Sequence, residues 1–309
     1  MKSTTSNEKV SRKQGGVDDT RPSKPPKIMR RFTWTGARRA VQITALVAFT
    51  LPVLLAGWNL FGLTVGSNET LPTPSNLPFF GSLSSSSIGE VTLLDPFATL
   101  QVAAASKTFE IDWLLFALPI VIIYGLIRAR AFCGWVCPVN LLLEGVDFLR
   151  RKLHLTVRET PIPRHTKLWI ALATVILSGI LSIPVFEALS PISAVNKGIL
   201  FGSTTGLLVL VAIMITELFW GHRVWCRSLC PLGGFYEAIG RLGIVRVTYD
   251  STACTQCKAC QDACLADPSI LTPVLDEDET SVRAGDCMVC GSCIDACPTH
   301  ALHLGLGKR

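Results

Sequence analysis

The run CTQCKACQDAC, from Cys254 to Cys264, places four cysteines within eleven residues at a spacing of C-x2-C-x2-C-x3-C. A second run, CMVCGSCIDACP from Cys287 to Pro298, has the same spacing. Cysteines two residues apart, repeated in this way, direct several thiolates into one small space, which favours a metal or a cluster over disulfides. Zinc sites use four ligands in paired C-x2-C elements, whereas each run here has three cysteines at x2 spacing and a fourth after x3.

Both runs resemble the pattern of a two-cluster 4Fe–4S ferredoxin, in which the fourth cysteine of each run ligates the other cluster. The resemblance covers residues 247–309 and departs from the pattern at Leu265, where a proline is expected. It implies two clusters, each with four cysteine ligands. The implied ligand sets are Cys254, Cys257, Cys260 and Cys297 for one cluster, and Cys287, Cys290, Cys293 and Cys264 for the other.

The remainder of the chain is apolar. Of 309 residues, 49% are hydrophobic and 17% are charged. Because a helix crosses a bilayer with roughly 20 mostly apolar residues, long uncharged windows predict transmembrane helices. One such window is typical of a buried core helix, but four in one chain are not. The windows are Ala40–Asn68, Trp113–Ile127, Leu168–Phe186 and Gly198–Thr216.

The second window becomes long enough if its helix runs from about Phe109 to Arg130, with Arg128 and Arg130 reaching the membrane interface. The sequence thus predicts an α-helical membrane protein with four transmembrane helices and a small α+β C-terminal ferredoxin-like domain. Residues 1–36 are predicted to be a disordered basic tail, residues 37–246 the transmembrane domain and residues 247–309 the ferredoxin domain.

Lysine and arginine alternate between the predicted loops. Residues 1–39 carry 11, residues 64–111 one, residues 128–167 eight, residues 187–198 one and residues 217–250 four. Because basic loops remain in the cytoplasm, both termini are predicted to be cytoplasmic in a bacterial inner membrane. This bias accounts for the net charge of +6, so no nucleic-acid partner is expected.

The four other cysteines form a repeated C-x3-C-P motif, in FCGWVCPVN and WCRSLCPLG. Further upstream, Asp95–Pro96 and Ser190–Pro191 repeat as well, so two tandem helix hairpins are predicted, with both motifs at the cytoplasmic face. Cysteines at i and i+4 share a helix face. Two facing pairs would supply four thiolates for a metal or cluster, or a redox-active dithiol, whereas packing of small hydrophobes is the alternative. The four cysteines are Cys133, Cys137, Cys226 and Cys230.

Taken together, the basic N-terminus, the four windows, the C-x3-C-P motifs and the double ferredoxin run resemble the NapH/MauN family. The segments FCGWVCPVNLLLE and WCRSLCPLGGFYEAIGRLG carry the resemblance, which covers residues 37–309. The family comprises membrane ferredoxin-type subunits associated with periplasmic nitrate reductase or with methylamine utilisation. The resemblance implies a subunit that oxidises quinol from the membrane quinone pool. Electrons would pass to a periplasmic iron–sulfur partner and the nitrate reductase complex.

Quinol oxidation releases two protons, which need acceptors such as carboxylates. Glu217, at the inner end of the fourth window, and Glu144, after the first C-x3-C-P motif, are the predicted residues of a quinol site. Asp95, Asp112 and Glu187 are interpreted as charges at helix ends on the outer side. A membrane iron–sulfur or thiol assembly factor for a metal-containing oxidase or reductase is the alternative function; a redox-sensing regulator and a transporter fit the sequence less well.

Overall fold

The computed structural model describes residues 33–55, 79–82, 85–88, 91–108, 110–155, 162–195 and 204–306. Of the predicted disordered tail, residues 1–32 lie outside these ranges. The first helix, α1 (Trp34–Leu55), already begins at Trp34. Residues 34–36, which were assigned to the tail, therefore belong to this helix.

Four apolar helices correspond to the predicted windows. They are α1, α3 (Ile111–Ile127), α6 (Thr166–Leu181) and α8 (Thr204–Phe219). Within the described ranges, no one helix has both the length and the apolar character to cross a bilayer. Four membrane-crossing helices therefore stay a prediction, whereas the mostly helical character of this part of the chain is confirmed.

The third window is not one continuous helix. α6 ends at Leu181 because Ser182 has a left-handed backbone conformation, with φ of 56°. The chain then bends by 102° into the segment Val185–Val195, which begins with the short helix α7 (Val185–Leu189). Pro184, which precedes α7, has no N–H to continue the hydrogen bonding of α6. Together, α6 and this segment have the length and composition for one bent span.

Within residues 79–106 the structure contains two elements that the sequence did not predict. One is an antiparallel sheet of β1 (Phe79–Ser82), β2 (Ser85–Ile88) and β3 (Val91–Leu94). The other is helix α2 (Pro96–Ser106), which buries Phe97 and Gln101 and packs against α3 and α6. The Asp95 carboxylate caps α2 by accepting the Ala98 N–H at 3.3 Å. The predicted outer loop therefore contributes a helix to the core.

The C-terminal part has the expected α+β arrangement. Strand β4 (Val245–Tyr249) pairs antiparallel with β5 (Leu302–Leu306), with Val247 opposite Leu304. Short helices lie between these strands in sequence, and two of them carry a cysteine. They are α10 (Ala259–Asp262), with Cys260, and α12 (Ser292–Ala296), with Cys293; α11 (Thr272–Leu275) lies between them and has none.

Two further helical segments follow the apolar helix of each repeat. α4 (Ala131–Trp135) and α5 (Pro138–Lys152) follow α3. A π-helical turn (Trp225–Leu229) and α9 (Pro231–Gly240) follow α8. Each C-x3-C-P motif thus spans a short helical turn and the start of the next helix.

The prediction that Arg128 and Arg130 reach a membrane interface is wrong. Both side chains are buried, at 0% and 1% exposure. α3 ends at Ile127, and Arg128 then donates to the carbonyls of Val245 and Val282 at 3.3 and 3.1 Å. The ferredoxin domain covers this end of α3 and supplies acceptors that water would otherwise provide.

The start of α1 is attached to the second ferredoxin run. The Asp295 carboxylate accepts the backbone N–H groups of Trp34 and Thr35 at 3.1 and 2.8 Å, and the Thr35 hydroxyl at 2.8 Å. At Gly291, with φ of 75°, an added Cβ would lie 2.3 Å from the Cβ of Trp34. This close approach requires glycine and fixes α1 against the domain.

We expect Asp295→Ala to loosen the start of α1, because backbone N–H groups of its first turn lose their acceptor, at a cost of about 1 kcal/mol. Hydrogen exchange at residues 34–38 should become faster. Asp262→Ala is the matched control, since Asp262 occupies the equivalent position of the first cysteine run and is exposed. Equal exchange in both variants would contradict the capping role.

Candidate iron–sulfur centres

The second ferredoxin group surrounds one cavity. Cys264 lines it together with Cys287, Cys290 and Cys293, and Met288 forms part of the wall. The structure thus brings together the four residues that the ferredoxin pattern implies as one ligand set. Burial and, to a smaller extent, the neighbouring Cys290 raise the pKa of Cys264 to about 12. Buried thiolates are costly without a compensating cation, so this donor set fits an iron–sulfur cluster.

The first ferredoxin group is more open. Burial and the nearby Cys297 and Cys257 raise the pKa of Cys260 to about 11. The nearby Cys254 side chain raises the pKa of Tyr249 to about 12. The Cys254 and Cys297 sulfurs accept the N–H groups of Gln256 and Ala301, each at 3.3 Å. Such N–H donors stabilise negative charge on ligand sulfurs.

The two C-x3-C-P motifs also meet. Their four thiols line one cavity, which we call the four-thiol site, with Phe132, Phe186, Ile192 and Leu232 among its walls. Twelve cysteines are present in the chain, so all of them belong to three groups of four. The four-thiol site contains Cys133, Cys137, Cys226 and Cys230.

The two cysteines of each motif do not share a helix face as predicted. Cys133 lies in α4 and Cys226 in the π-helical turn, whereas Cys137 and Cys230 precede α5 and α9. The second cysteine has an extended backbone in both motifs, with φ/ψ of −62°/120° and −68°/114°. The following proline imposes this conformation. The Cys230 sulfur consequently accepts the Gly233 N–H at 3.4 Å, at the start of α9.

The four-thiol site lies directly against the second ferredoxin run. A Cβ added to Gly134, which follows Cys133, would lie 2.9 Å from the Met288 carbonyl oxygen and 3.6 Å from the Cβ of Cys290. Trp135 donates from Nε1 to the Val289 carbonyl at 3.0 Å. The two cysteine groups are therefore neighbours, as electron transfer between them requires.

Buried charges link the two groups. Arg130 donates to the Asp286 carboxylate at 2.9 Å and to the Cys226 carbonyl at 2.8 Å. Lys167 also donates to Asp286, and to the Arg227 carbonyl at 3.0 Å. Burial would raise the pKa of Asp286, but Arg130 and Lys167 outweigh this effect and hold it below its ordinary value. The positive charge of Arg130 beside the four-thiol site favours extra negative charge there.

The two predicted quinol-site carboxylates have structural partners. Glu217 accepts the N–H groups of Val224 and Trp225 at 3.1 and 2.7 Å, and thereby holds the turn that contains Cys226. Glu144 pairs with Arg38 and with Arg39, at 2.7 Å for the latter. Their role towards quinol stays a prediction.

The sequence did not predict that Arg130 and Asp286 belong to the site, since Arg130 was expected at a membrane interface. The arginine in RARAFCGW was a usable signal, since a charge among apolar residues needs a partner.

Protein-family comparisons match all three cysteine groups. The 4Fe-4S binding domain family matches residues 109–156 and again 203–247, each range with one C-x3-C-P motif. The 4Fe-4S dicluster domain family matches residues 246–298, which include all eight ferredoxin cysteines. Fold and site therefore define an iron–sulfur electron-transfer protein.

Curated relatives share most of their length with this chain. The methylamine utilization ferredoxin-type protein MauN of Methylorubrum extorquens is 33% identical over 91% of this chain and 92% of its own. MauN of Paracoccus denitrificans is 34% identical over 82% and 83%. The ferredoxin-type protein NapH of Escherichia coli is 32% identical over 87% and 88%. The chain belongs to the family of NapH and MauN ferredoxin-type proteins. No solved structure matches it.

We expect Asp286→Asn to destabilise the protein by about 3–5 kcal/mol, because the buried Arg130 loses its counter-charge and Lys167 loses one of its two carboxylate partners, keeping Glu237 at 3.3 Å. The change in the free energy of unfolding is measured by titrating the protein with denaturant and monitoring the loss of visible absorbance from the clusters. Asp278→Asn is the control, since Asp278 is exposed. An unchanged transition in Asp286→Asn would contradict the role assigned to this buried carboxylate.

Proposed function

We propose that the protein is a multi-pass inner-membrane subunit that oxidises quinol and passes electrons towards a periplasmic reductase. Through its resemblance to NapH, the nitrate reductase complex is the proposed destination, reached through a periplasmic iron–sulfur partner. The observation that supports this best is the contact between the four-thiol site and the second ferredoxin run at Gly134 and Met288. It gives electrons a short path between cysteine groups.

Exposed apolar side chains support the membrane location. Ile111 on α3, Ile180 on α6 and Leu208 on α8 are 70%, 71% and 67% exposed. Proteins in water rarely leave large contiguous apolar patches uncovered, whereas lipid would cover these helices. The charge bias of the loops favours the cytoplasmic side for both termini, which is part of this proposal.

We further propose one 4Fe–4S cluster in each group of four cysteines, including the four-thiol site. Such clusters take up one electron at a time, which divides the two-electron oxidation of quinol into single steps. The chain orients the sulfurs, excludes water around Cys137, Cys287 and Cys293, and holds the positive charge of Arg130 beside them. Backbone N–H donors also stabilise negative charge on the sulfurs; they are those of Gly233, Gln256 and Ala301.

Iron analysis tests the third cluster. We expect about twelve irons per chain after anaerobic purification, three clusters of four. Cys226→Ser should lower this to about eight, because the four-thiol site loses a ligand while both ferredoxin groups stay complete. Val136→Ala, a change inside the first motif that leaves its thiols in place, is the control. About eight irons in the unaltered protein would contradict a third cluster.

Quinol oxidation is tested by adding menaquinol or ubiquinol to the anaerobic protein in detergent and recording EPR spectra. We expect quinol to produce the same EPR signals of reduced clusters that dithionite produces. Clusters that dithionite reduces but neither quinol reduces, with or without the membrane partner proteins, would contradict the proposal. Metal or thiol transfer to a partner oxidase or reductase would then favour the assembly-factor function.

A further inference from the structure

We propose that quinol binds in a cavity beside Asp95 and Glu187, and that these two carboxylates accept its protons. The inference rests on the proposed quinol oxidation and assigns it a place in the fold. The prediction placed both residues at helix ends on the outer side, away from the C-x3-C-P motifs. The hydrogen bond from Tyr236 to Asp95 and the position of Phe186 at the four-thiol site instead bring them near those motifs.

The cavity has the size and lining of a site for an apolar ring. Its volume is about 340 Å³, within the usual range for small-molecule sites of about 300–1,000 Å³. Strand β3, helix α2, helix α3 and helix α7 contribute its walls. Such sites combine mostly apolar walls with a few polar groups that orient the ligand. The apolar walls include Leu94, Ala98, Val102 and Trp113, and Asp95 and Glu187 are the acidic groups.

Each carboxylate is oriented by the protein. Asp95 accepts the Tyr236 hydroxyl at 3.1 Å and the Ala98 N–H at 3.3 Å. Glu187 accepts the Ser193 hydroxyl at 2.6 Å. A carboxylate has about four acceptor positions, so each of them can also accept a quinol hydroxyl. These hydrogen bonds fix two proton acceptors for a ligand with two hydroxyl groups.

Aromatic side chains connect the surroundings of this cavity to the four-thiol site. Glu187 directly follows Phe186, which lines the four-thiol site. Phe186 packs against Phe97 of α2, with ring centroids 5.8 Å apart.

A second contact runs through the partner of Asp95. Tyr236 packs against Phe132, the neighbour of Cys133, with ring centroids 5.8 Å apart. Both carboxylates are therefore close to a wall of the four-thiol site.

The chemistry balances with iron–sulfur centres as oxidant. Both O–H bonds of quinol break, and one proton goes to Asp95 and the other to Glu187. Iron–sulfur clusters held by the four-thiol site and the ferredoxin cysteines would accept the two electrons one at a time, and quinol would become quinone. Protonated carboxylates then return their protons to water.

Asp95→Asn and Glu187→Gln test the acceptors in the full-length protein in detergent. Asparagine caps helices as well as aspartate does, and both amides keep an oxygen that accepts the Tyr236 or Ser193 hydroxyl. We expect quinol to reduce the clusters roughly 100-fold more slowly or worse, as for loss of a general base. Reduction by dithionite and the resulting EPR spectrum should be unchanged. Asp112→Asn removes an exposed carboxylate beside Trp113 and should react at the unaltered rate.

Photolabelling with an azido-quinone locates binding without requiring turnover. Peptide mapping should find the label within residues 94–113 or 185–195, and Val102→Trp, which fills the cavity, should abolish it. If both amide variants keep the unaltered rate, or the label lies elsewhere while quinol still reduces the clusters, the site is wrong and the proposed function stands. If quinol fails to reduce dithionite-reducible clusters in the unaltered protein, the proposed function fails and this inference fails with it.

Discussion

A buried guanidinium connects the apolar helices to the ferredoxin domain. Arg130 follows α3, donates to Asp286 beside the second ferredoxin run, and donates to the backbone of Cys226 in the other repeat. A buried charge is tolerated only when it is paired and hydrogen-bonded, so Arg130 is stable in this position only where the three segments meet. The position of the four-thiol site against Met288 follows from that requirement.

Local spacing predicted the cysteine chemistry well, because ligands of one cluster lie a few residues apart and their geometry is set by the intervening backbone. It also predicted that the repeated motifs would be near each other. The positions at which helices end and the chain turns were harder to predict. Pro138 and Pro231 break the helices that were expected to carry both cysteines of a pair, and Ser182 ends α6 inside an uncharged window. The apolar composition of a window does not indicate where the chain turns within it.

The contacts of the carboxylates were equally hard to predict from the sequence. Glu217 was chosen because it precedes a cysteine motif, yet it holds the N–H groups of Val224 and Trp225. Asp95 and Glu187 lie far apart in the sequence and meet only because α2 folds inward against α6. What a carboxylate faces depends on tertiary packing, which a single sequence does not contain.

The division of ligands between distant segments also orders the biosynthesis of the protein. Neither C-x3-C-P repeat has more than two thiols, so the four-thiol site cannot exist until the ribosome has passed Cys230. The ferredoxin groups exchange Cys264 and Cys297 in the proposed ligand sets, so neither set is complete until both cysteine runs have been synthesised. Loading of the ferredoxin groups with iron and sulfide is consequently a late event, and it follows the synthesis of all the apolar helices.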